Sequence, residues 1–178
     1  METCYDELEP NIHAKIAQTI RHAAPILDIG CGDGRLVNFL AVQLRKKIFG
    51  VDISDIGFKK AREEAELKDV SRMVKYVKTD GNRLDVFKDE FFGGVVSVYA
   101  LHEFEDPLAI LREIKRVLKT GGTAVIVDFI KGGEAEKLWG ERYYTPAEIK
   151  SMLEVMEFKE VKISFLYKDV ILVSASRI

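Results

Sequence analysis

The chain has 178 residues, of which 47% are hydrophobic and 31% charged, so it can bury one core of ordinary size. Its formal net charge of −2 provides no overall positive field, which argues against nucleic acid or an anionic membrane surface as a partner. Two cysteines, Cys4 and Cys31, are too few for a disulfide framework, and no apolar stretch reaches membrane-spanning length.

The chain starts with the acidic and polar stretch METCYDELEPN, which has no apolar core of signal-peptide length. We therefore predict a cytoplasmic protein that forms a single domain over residues 1–178. A helix over 11–24 is predicted to follow, so residues 1–25 form an N-terminal helix and arm ahead of the first strand.

Short apolar runs and helical patterns then alternate along the chain. Strands are predicted at 26–30, 47–54, 73–80, 93–100 and 123–130, and helices at 34–47, 54–69 and 106–122. Ser54 or Asp55 is the expected N-cap of the second of these helices. Asp106 is the expected N-cap of the third, and Gly121 or Gly122 its stop signal. Strands that alternate with helices indicate right-handed crossovers and a parallel sheet.

The tail has a different pattern. A capped helix over 145–156 is followed by strands at 159–167 and 169–177, which are separated by so short a turn that they pair antiparallel. The predicted fold class is therefore α/β: a doubly wound, Rossmann-like, seven-stranded sheet that is mostly parallel with a C-terminal antiparallel hairpin strand.

The stretch ILDIGCGDGR, residues 26–35, places three glycines at alternate positions directly after the first predicted strand. A glycine-rich turn at this point of a doubly wound sheet binds a nucleotide-like ligand. The spacing GxGxG differs from the dinucleotide fingerprint GxGxxG, and Asp28 and Asp33 would repel a diphosphate. These features favour a ligand with an adenosine half and a cationic half.

The same stretch resembles the first motif of class I methyltransferases that depend on S-adenosyl-L-methionine (SAM). The resemblance continues through VDIS, VKTDGN and VVSVYALHEFEDP to the final hairpin. Within the superfamily, ALHEFEDPLAILREIKRVLKTGG is similar to the ubiquinone/menaquinone-biosynthesis type and its small-molecule relatives. The resemblance implies methyl transfer from SAM to a small-molecule acceptor, with S-adenosyl-L-homocysteine (SAH) as product and adenosine bound at the carboxyl edge of the sheet.

The resemblance also implies three groups of cofactor-binding residues. They are Asp28, Gly30, Gly32 and Gly34 at the methionine half, Asp52, Ile53, Asp80, Gly81 and Asn82 at the ribose and adenine, and Tyr99, Ala100 and Leu101 beside the transferred methyl. Asp52 would accept hydrogen bonds from the ribose hydroxyls, and Asp80 from the adenine amino group. The alternative is that both carboxylates are strand ends that face water.

His102 is the candidate base because it lies two residues beyond the fourth strand and titrates near neutrality. Glu103 is the second candidate for this catalytic role. The alternative for His102 is that it closes the pocket or caps the next turn. His13, His22 and His102 show no metal-ligand spacing, so no catalytic metal is predicted.

Acceptor choice is predicted to lie in segments over the carboxyl edge of the sheet. The connection over 130–146 is long for such a loop and contains Trp139, Tyr143 and Tyr144, which are candidate substrate contacts. The alternative is that these rings anchor the loop to the core. Since no lid domain is evident, the pocket is either open or closed by a second subunit, in which case the protein is a homodimer.

Three other functions stay open at this point. Methylation of RNA or protein is disfavoured by the acidic balance of the chain, and a local basic patch would favour it. A non-catalytic SAM-binding module would keep the same motifs. A nicotinamide-dependent enzyme would share the fold but not the GxGxG spacing.

Overall fold

A computed structural model describes the backbone of residues 6–178 and the side chains from Glu7 onwards. The strands are β1 Ile26–Ile29, β2 Ile48–Asp52, β3 Val74–Lys78, β4 Phe92–Val98, β5 Leu118–Phe129, β6 Lys159–Phe165 and β7 Val170–Ser176. The α-helices are α1 Glu9–Thr19, α2 Arg35–Leu44, α3 Phe58–Leu67, α4 Pro107–Val117, α5 Glu134–Trp139 and α6 Pro146–Val155. Cys4 and the start of the predicted N-terminal arm lie outside the described residues.

The seven strands form one sheet in the order β3-β2-β1-β4-β5-β7-β6. All neighbouring strands pair in parallel except β7, which runs antiparallel to both β5 and β6. The predicted fold class is therefore confirmed. The strand order reverses between β1 and β4, and ligands of open α/β sheets bind at the carboxyl ends of the strands beside such a reversal.

The central strands β1 and β4 are buried on both faces of the sheet. Ile26 and Val96 face the layer that contains α1, α2 and α3, whereas Leu27 and Val95 face the layer that contains α4 and α6. Successive residues of a strand point to opposite faces, and a parallel sheet covered on both faces therefore has near-continuous apolar strands. The polar residues that follow these strands are thereby placed along one rim.

The end of α4 differs from the sequence prediction. The helix stops at Val117 rather than at Gly121 or Gly122, because fully buried Leu118 already pairs with Phe92 in the sheet. The glycines instead lie in an irregular stretch of β5, where Gly121 has φ +76°. The helical pattern continues in the sequence beyond the point at which the core requires a strand.

The start of α3 also differs, since Gly57 is its N-cap and no side chain caps it. The predicted caps have other partners: the backbone N–H of Ser54 donates to Asp52, and Asp55 pairs with Lys78 at 2.9 Å. Asp106 caps α4 as predicted, accepting hydrogen bonds from the next two backbone N–H groups after Pro107. Polar side chains near the carboxyl edge of the sheet therefore stabilise loops rather than the start of α3.

Candidate active site

Two adjoining cavities open at the carboxyl edge of the sheet. The larger has a volume of about 540 Å³ and the smaller about 300 Å³. Gly30 and Glu103 line both of them, so the cavities meet at the end of β1. The site is therefore divided into two connected compartments.

The glycine loop shapes the boundary between the compartments. Gly30 has φ +76°, and a Cβ built on it would lie 2.7 Å from the Cβ of Ala100. Gly32 has φ +50° and open space at its Cβ position, while its N–H donates to Asp52 Oδ2 at 2.9 Å. Gly34 instead packs α2 against α3, since its Cβ would lie 2.7 Å from that of Ala61. Gly30 thus makes room for Ala100, Gly32 leaves open space for a ligand, and Gly34 makes room for the neighbouring helix.

The smaller cavity presents hydrogen-bond acceptors from two strand ends. Each carboxylate oxygen of Asp52 accepts one backbone N–H, and Asp80 Oδ1 accepts the N–H of Asn82 at 2.9 Å. A carboxylate oxygen accepts two hydrogen bonds, so both side chains keep capacity for a ligand. The Oδ1 atom of Asn82 is buried and has no hydrogen-bond partner in the structure. This set suits a ligand with several hydrogen-bond donors, such as the hydroxyl and amino groups of adenosine.

Asp28 lines the larger cavity at the foot of the glycine loop. It is 2% exposed, and its carboxyl pKa is raised to about 7 by burial and then by the charge of Asp52. An opposite charge placed beside such a carboxylate would restore its ionised form. Asp28 therefore suits a cationic group of the ligand.

His102 is held by a carboxylate that lies behind it. Its Nδ1 is 2.7 Å from Asp128 Oδ1, and its backbone N–H donates to Asp128 Oδ2 at 3.1 Å. Asp128 Oδ1 also accepts the N–H of Phe129, and the carboxylate is 1% exposed at its side chain. Because a carboxylate oxygen accepts, Nδ1 carries the hydrogen, and Nε2 is the acceptor nitrogen of the neutral ring.

The second nitrogen of His102 faces the loop between α5 and α6. Its Nε2 is 3.3 Å from Glu141 Oε2, which also accepts the Tyr143 hydroxyl hydrogen at 2.6 Å. Burial lowers the pKa of His102, but the hydrogen bond and charge of Asp128, followed by the charges of Glu141 and Glu103, raise it above the ordinary value. Burial and the hydrogen bond to Glu141 raise the pKa of Tyr143, so its hydroxyl stays a donor.

Four aromatic side chains form a wall of the larger cavity. Tyr99 stacks on Phe129 with ring centroids 4.4 Å apart, and Phe129 in turn contacts Trp139 at 5.2 Å and Tyr143 at 5.6 Å. Tyr99 has φ +52°, in the left-handed region that costs a non-glycine residue about 1 kcal/mol or more. The backbone at the end of β4 is thus bent to place this ring in the site.

The opposite wall comes from α1. Arg35 at the start of α2 pairs with Glu9 at 2.6 Å and with Asp33 at 3.1 Å. Burial, and then the charge of Arg35, lower the pKa of His13 to about 4, so this ring is neutral. Burial and neighbouring carboxylates raise the pKa of Cys31, which keeps this buried side chain a thiol.

The structure brings most of the predicted site residues to the two cavities. Asp28, Gly32, Tyr99, His102, Trp139 and Tyr143 line the larger, Asp52, Ile53, Asp80, Gly81, Asn82 and Ala100 line the smaller, and Gly30 and Glu103 line both. Three predicted residues lie outside both cavities. Gly34 packs between helices, and Leu101 and Tyr144 belong to the core on the α4 and α6 side of the sheet.

Sequence reasoning missed Asp128, Phe129 and Glu141. Asp128 had a usable signal, because it is the single charged residue in the apolar run TAVIVDFI and shares its edge with Asp52. Glu141 lies in the loop that was predicted to choose the acceptor, but nothing in the local sequence distinguishes it from the other glutamates there.

Comparison with known proteins agrees with this geometry. The sequence profile of a family described as a methyltransferase domain matches residues 27–126, which is more than half of the chain. The chain belongs to the methyltransferase domain family. The predicted resemblance to class I SAM-dependent methyltransferases is thereby confirmed. The matched region includes the glycine loop and the carboxyl ends of β1, β2, β3 and β4.

Curated relatives of this chain differ in the molecules named for them. A sterol 4-C-methyltransferase from Caenorhabditis elegans is 29% identical over 79% of this chain and 42% of its own length. A demethylmenaquinone methyltransferase from Bacteroides fragilis is 27% identical over 70% of this chain and 55% of its own length. The chain therefore spans about half the length of these relatives.

Solved structures share the fold of this chain. A SAM-dependent methyltransferase from Aquifex aeolicus superposes with a TM-score of 0.72 at 23% identity, covering 86% of this chain and 81% of that one. A protein from Pyrococcus horikoshii superposes with a TM-score of 0.83 at 17% identity, covering 99% of this chain and 93% of that one. The latter match extends the shared architecture to nearly the whole chain.

Proposed function

We propose that this chain transfers a methyl group from SAM to a small-molecule acceptor. The observation that carries the proposal is the pair of connected compartments, one rich in acceptors for adenosine and one that joins Asp28 to an aromatic wall and His102. The curated relatives, which are named for sterol and menaquinone precursors, support a small-molecule acceptor.

The residues of the site fit SAM. Asp52 and Asp80 would accept from the ribose and adenine, and the unpartnered Oδ1 of Asn82 offers one more acceptor in the same compartment. Asp28 would hold the ammonium of the methionine half, next to the space above Gly32. When bound there, SAM supplies a methyl carbon that its sulfonium has already activated for in-line displacement.

The contribution of the chain is to align the acceptor and to take its proton where it holds one. The neutral ring of His102 would present Nε2 to the acceptor while Nδ1–H stays bound to Asp128. The imidazolium formed by that transfer would lie between the carboxylates of Asp128 and Glu141, which stabilise it. Asp128 is thus proposed as a positioning residue, and His102 as the base.

Acceptor selection is proposed to lie in the loop over 130–146 and in α1, which supply the two walls of the larger compartment. The loop is fixed at its start, because Asp169 Oδ2 accepts the backbone N–H groups of Glu134 and Ala135 at 2.9 and 3.1 Å. A cytoplasmic location and a homodimer stay predictions. None of the helices in the described part of the chain is both long and apolar enough to cross a membrane.

Calorimetric titration of the purified protein with SAM, SAH and NADH tests the proposed cofactor. We expect SAM and SAH to bind, and the Asp52→Ala variant to bind them at least about tenfold more weakly, because hydrogen bonds to a charged group contribute about 1.5–3 kcal/mol each. Asp55→Ala is the matched control, since Asp55 is exposed and pairs with Lys78 outside both cavities. Binding of NADH without SAM, or unchanged SAM affinity in Asp52→Ala, would contradict the proposal.

The pH dependence of SAH affinity tests the role of Asp28. Because its carboxyl pKa is raised to about 7 in the free protein, the ionised form that an ammonium requires is lost as the pH falls below 7. The dissociation constant for SAH is therefore expected to rise about tenfold between pH 8 and pH 6. The Asp28→Asn variant should bind more weakly at pH 8 and lose this dependence. A wild-type constant that is flat over the same range would exclude the assignment of Asp28 to the ammonium.

A further inference from the structure

The acceptor compartment has more carboxylates than cations available to neutralise them. With Asp28 assigned to the cofactor, and with Glu9 and Asp33 paired with Arg35, Glu103 and Glu141 remain on its lining, and Asp128 lies directly behind His102. Even when His102 is protonated, these three carboxylates leave a net negative charge around it. The pKa of Glu103 is raised chiefly by its partial burial. The charge of His102 lowers it, but the charges of Glu141, Asp52 and Asp128 raise it, and the net direction is upward.

The other basic side chains on the lining do not compensate. Arg35 is engaged by two carboxylates, Glu9 at 2.6 Å and Asp33 at 3.1 Å. His13 is neutral near pH 7, because burial lowers its pKa to about 4. Among the described residues that line the compartment, there is therefore no unsatisfied positive charge that could attract an anionic acceptor.

The aromatic wall adds a second, independent feature. Tyr99, Phe129, Trp139 and Tyr143 line the same compartment and form a continuous chain of ring contacts. Aromatic faces attract cations through their quadrupole and attract neutral rings by packing. They give no corresponding attraction for a carboxylate or a phosphate.

On the basis of the proposed methyl transfer, we propose that the acceptor is a compact primary or secondary amine, which enters as an ammonium and is bound by Glu103, Glu141 and the aromatic wall. The ammonium would replace the solvent that half-exposed Glu141 now contacts, at a side-chain exposure of 49%. A phenol or alcohol would have to develop negative charge on its oxygen beside two carboxylates, which disfavours that reaction in this site.

The reaction balances without another reactant. The ammonium transfers one proton to Nε2 of neutral His102, which leaves a lone pair on the amine nitrogen. That lone pair forms the nitrogen–methyl bond as the methyl–sulfur bond breaks, and the bonding pair of the latter stays on the sulfur of SAH. The product is a methylated ammonium, and the imidazolium of His102 releases its proton to solvent by way of half-exposed Glu141, whose Oε2 is 3.3 Å from Nε2.

Matched probes test the acceptor class by calorimetry on the SAH-loaded protein. The first set is 2-phenylethylamine, 2-phenylethanol and 3-phenylpropionate, which share a ring and differ in charge, and tryptamine with tryptophol provides a larger pair. We expect each amine to bind at least tenfold more tightly than its alcohol, and the carboxylate not to bind. Glu141→Gln should remove most of that preference and change the alcohol affinity by less than twofold.

Glu134→Gln is the control variant, because Glu134 lies on the same segment and does not line the compartment. It should keep the full preference for the amine. A second readout is transfer of a tritiated methyl group from SAM to the amine and not to the alcohol or to a catechol.

Two kinds of failure are distinguishable. If SAH itself does not bind, the proposed function fails and the inference fails with it. If SAH binds but the alcohol binds as well as the amine, no amine binds up to millimolar concentration, or a catechol is methylated while the amines are inert, then the acceptor class alone is wrong. Retention of the amine preference in Glu141→Gln with loss in Glu134→Gln would also overturn it.

Discussion

Replacement of His102 by glutamine is expected to lower the turnover number by about 10²–10⁴-fold, the usual contribution of a positioned general base. Glutamine preserves much of the side-chain volume but cannot accept and release a proton at the position of Nε2. The affinity for SAM should change by less than twofold, because the His102 side chain faces the acceptor compartment and Asp128 rather than the acceptors for adenosine. The measurement is single-turnover transfer of a labelled methyl group at saturating SAM, with the acceptor that the wild-type protein methylates.

His22→Gln is the matched control for this experiment. His22 is exposed at the end of the segment after α1, where its Nε2 accepts a hydrogen bond from Arg21 at 2.9 Å. Its replacement should leave both turnover and SAM affinity at the wild-type values. Unchanged turnover in His102→Gln would remove the base role and leave His102 as a group that closes the pocket.

The cofactor side of the site was predictable because it depends on strand ends. Asp52 ends β2 and Asp80 lies two residues after β3. Neighbouring parallel strands end at one rim, so the proximity of both residues to the glycine loop follows from the alternation of elements alone. The glycine spacing then indicated which kind of ligand the loop binds. Tyr76 and Asn38, which bond to each other at 2.7 Å beneath this loop, carried no such signal.

The acceptor side was less predictable because its contacts join distant segments. Asp128 and Glu141 reach His102 from a strand and a loop, 26 and 39 residues further along the chain, and this coincidence depends on how the 130–146 loop folds. The left-handed backbone of Tyr99 and the stacking of its ring on Phe129 likewise depend on tertiary packing. The same limit affected α4, where a buried Leu118 ended a helix that its own sequence pattern would have continued.

Replacement of Asp128 by asparagine is expected to lower the pKa of His102, because it removes the opposite charge closest to the ring. An amide cannot replace the carboxylate fully, since Asp128 accepts from the His102 ring, the His102 backbone N–H and the Phe129 N–H. Titration of the histidine ring protons by NMR measures this pKa without any acceptor. Only three histidines have to be resolved, and the missing signal of His102→Gln assigns the ring. His13, whose pKa is about 4, serves as an internal reference.

The sign of the pH effect separates a positioning role from a merely structural one. A base must be deprotonated, so wild-type turnover should rise through a pKa above 6.5, and in Asp128→Asn this limb should move to lower pH while the maximal rate falls. Stability depends on pH in the opposite direction. The raised pKa of His102 stabilises the folded protein at pH values below the ordinary histidine pKa, and this contribution is lost as the pH rises through the pKa of the folded protein. The wild-type protein should therefore exceed Asp128→Asn in unfolding midpoint by more at pH 6 than at pH 9. If the difference between the two midpoints is the same at both pH values and the His102 titration does not move, Asp128 does not act through the charge of His102.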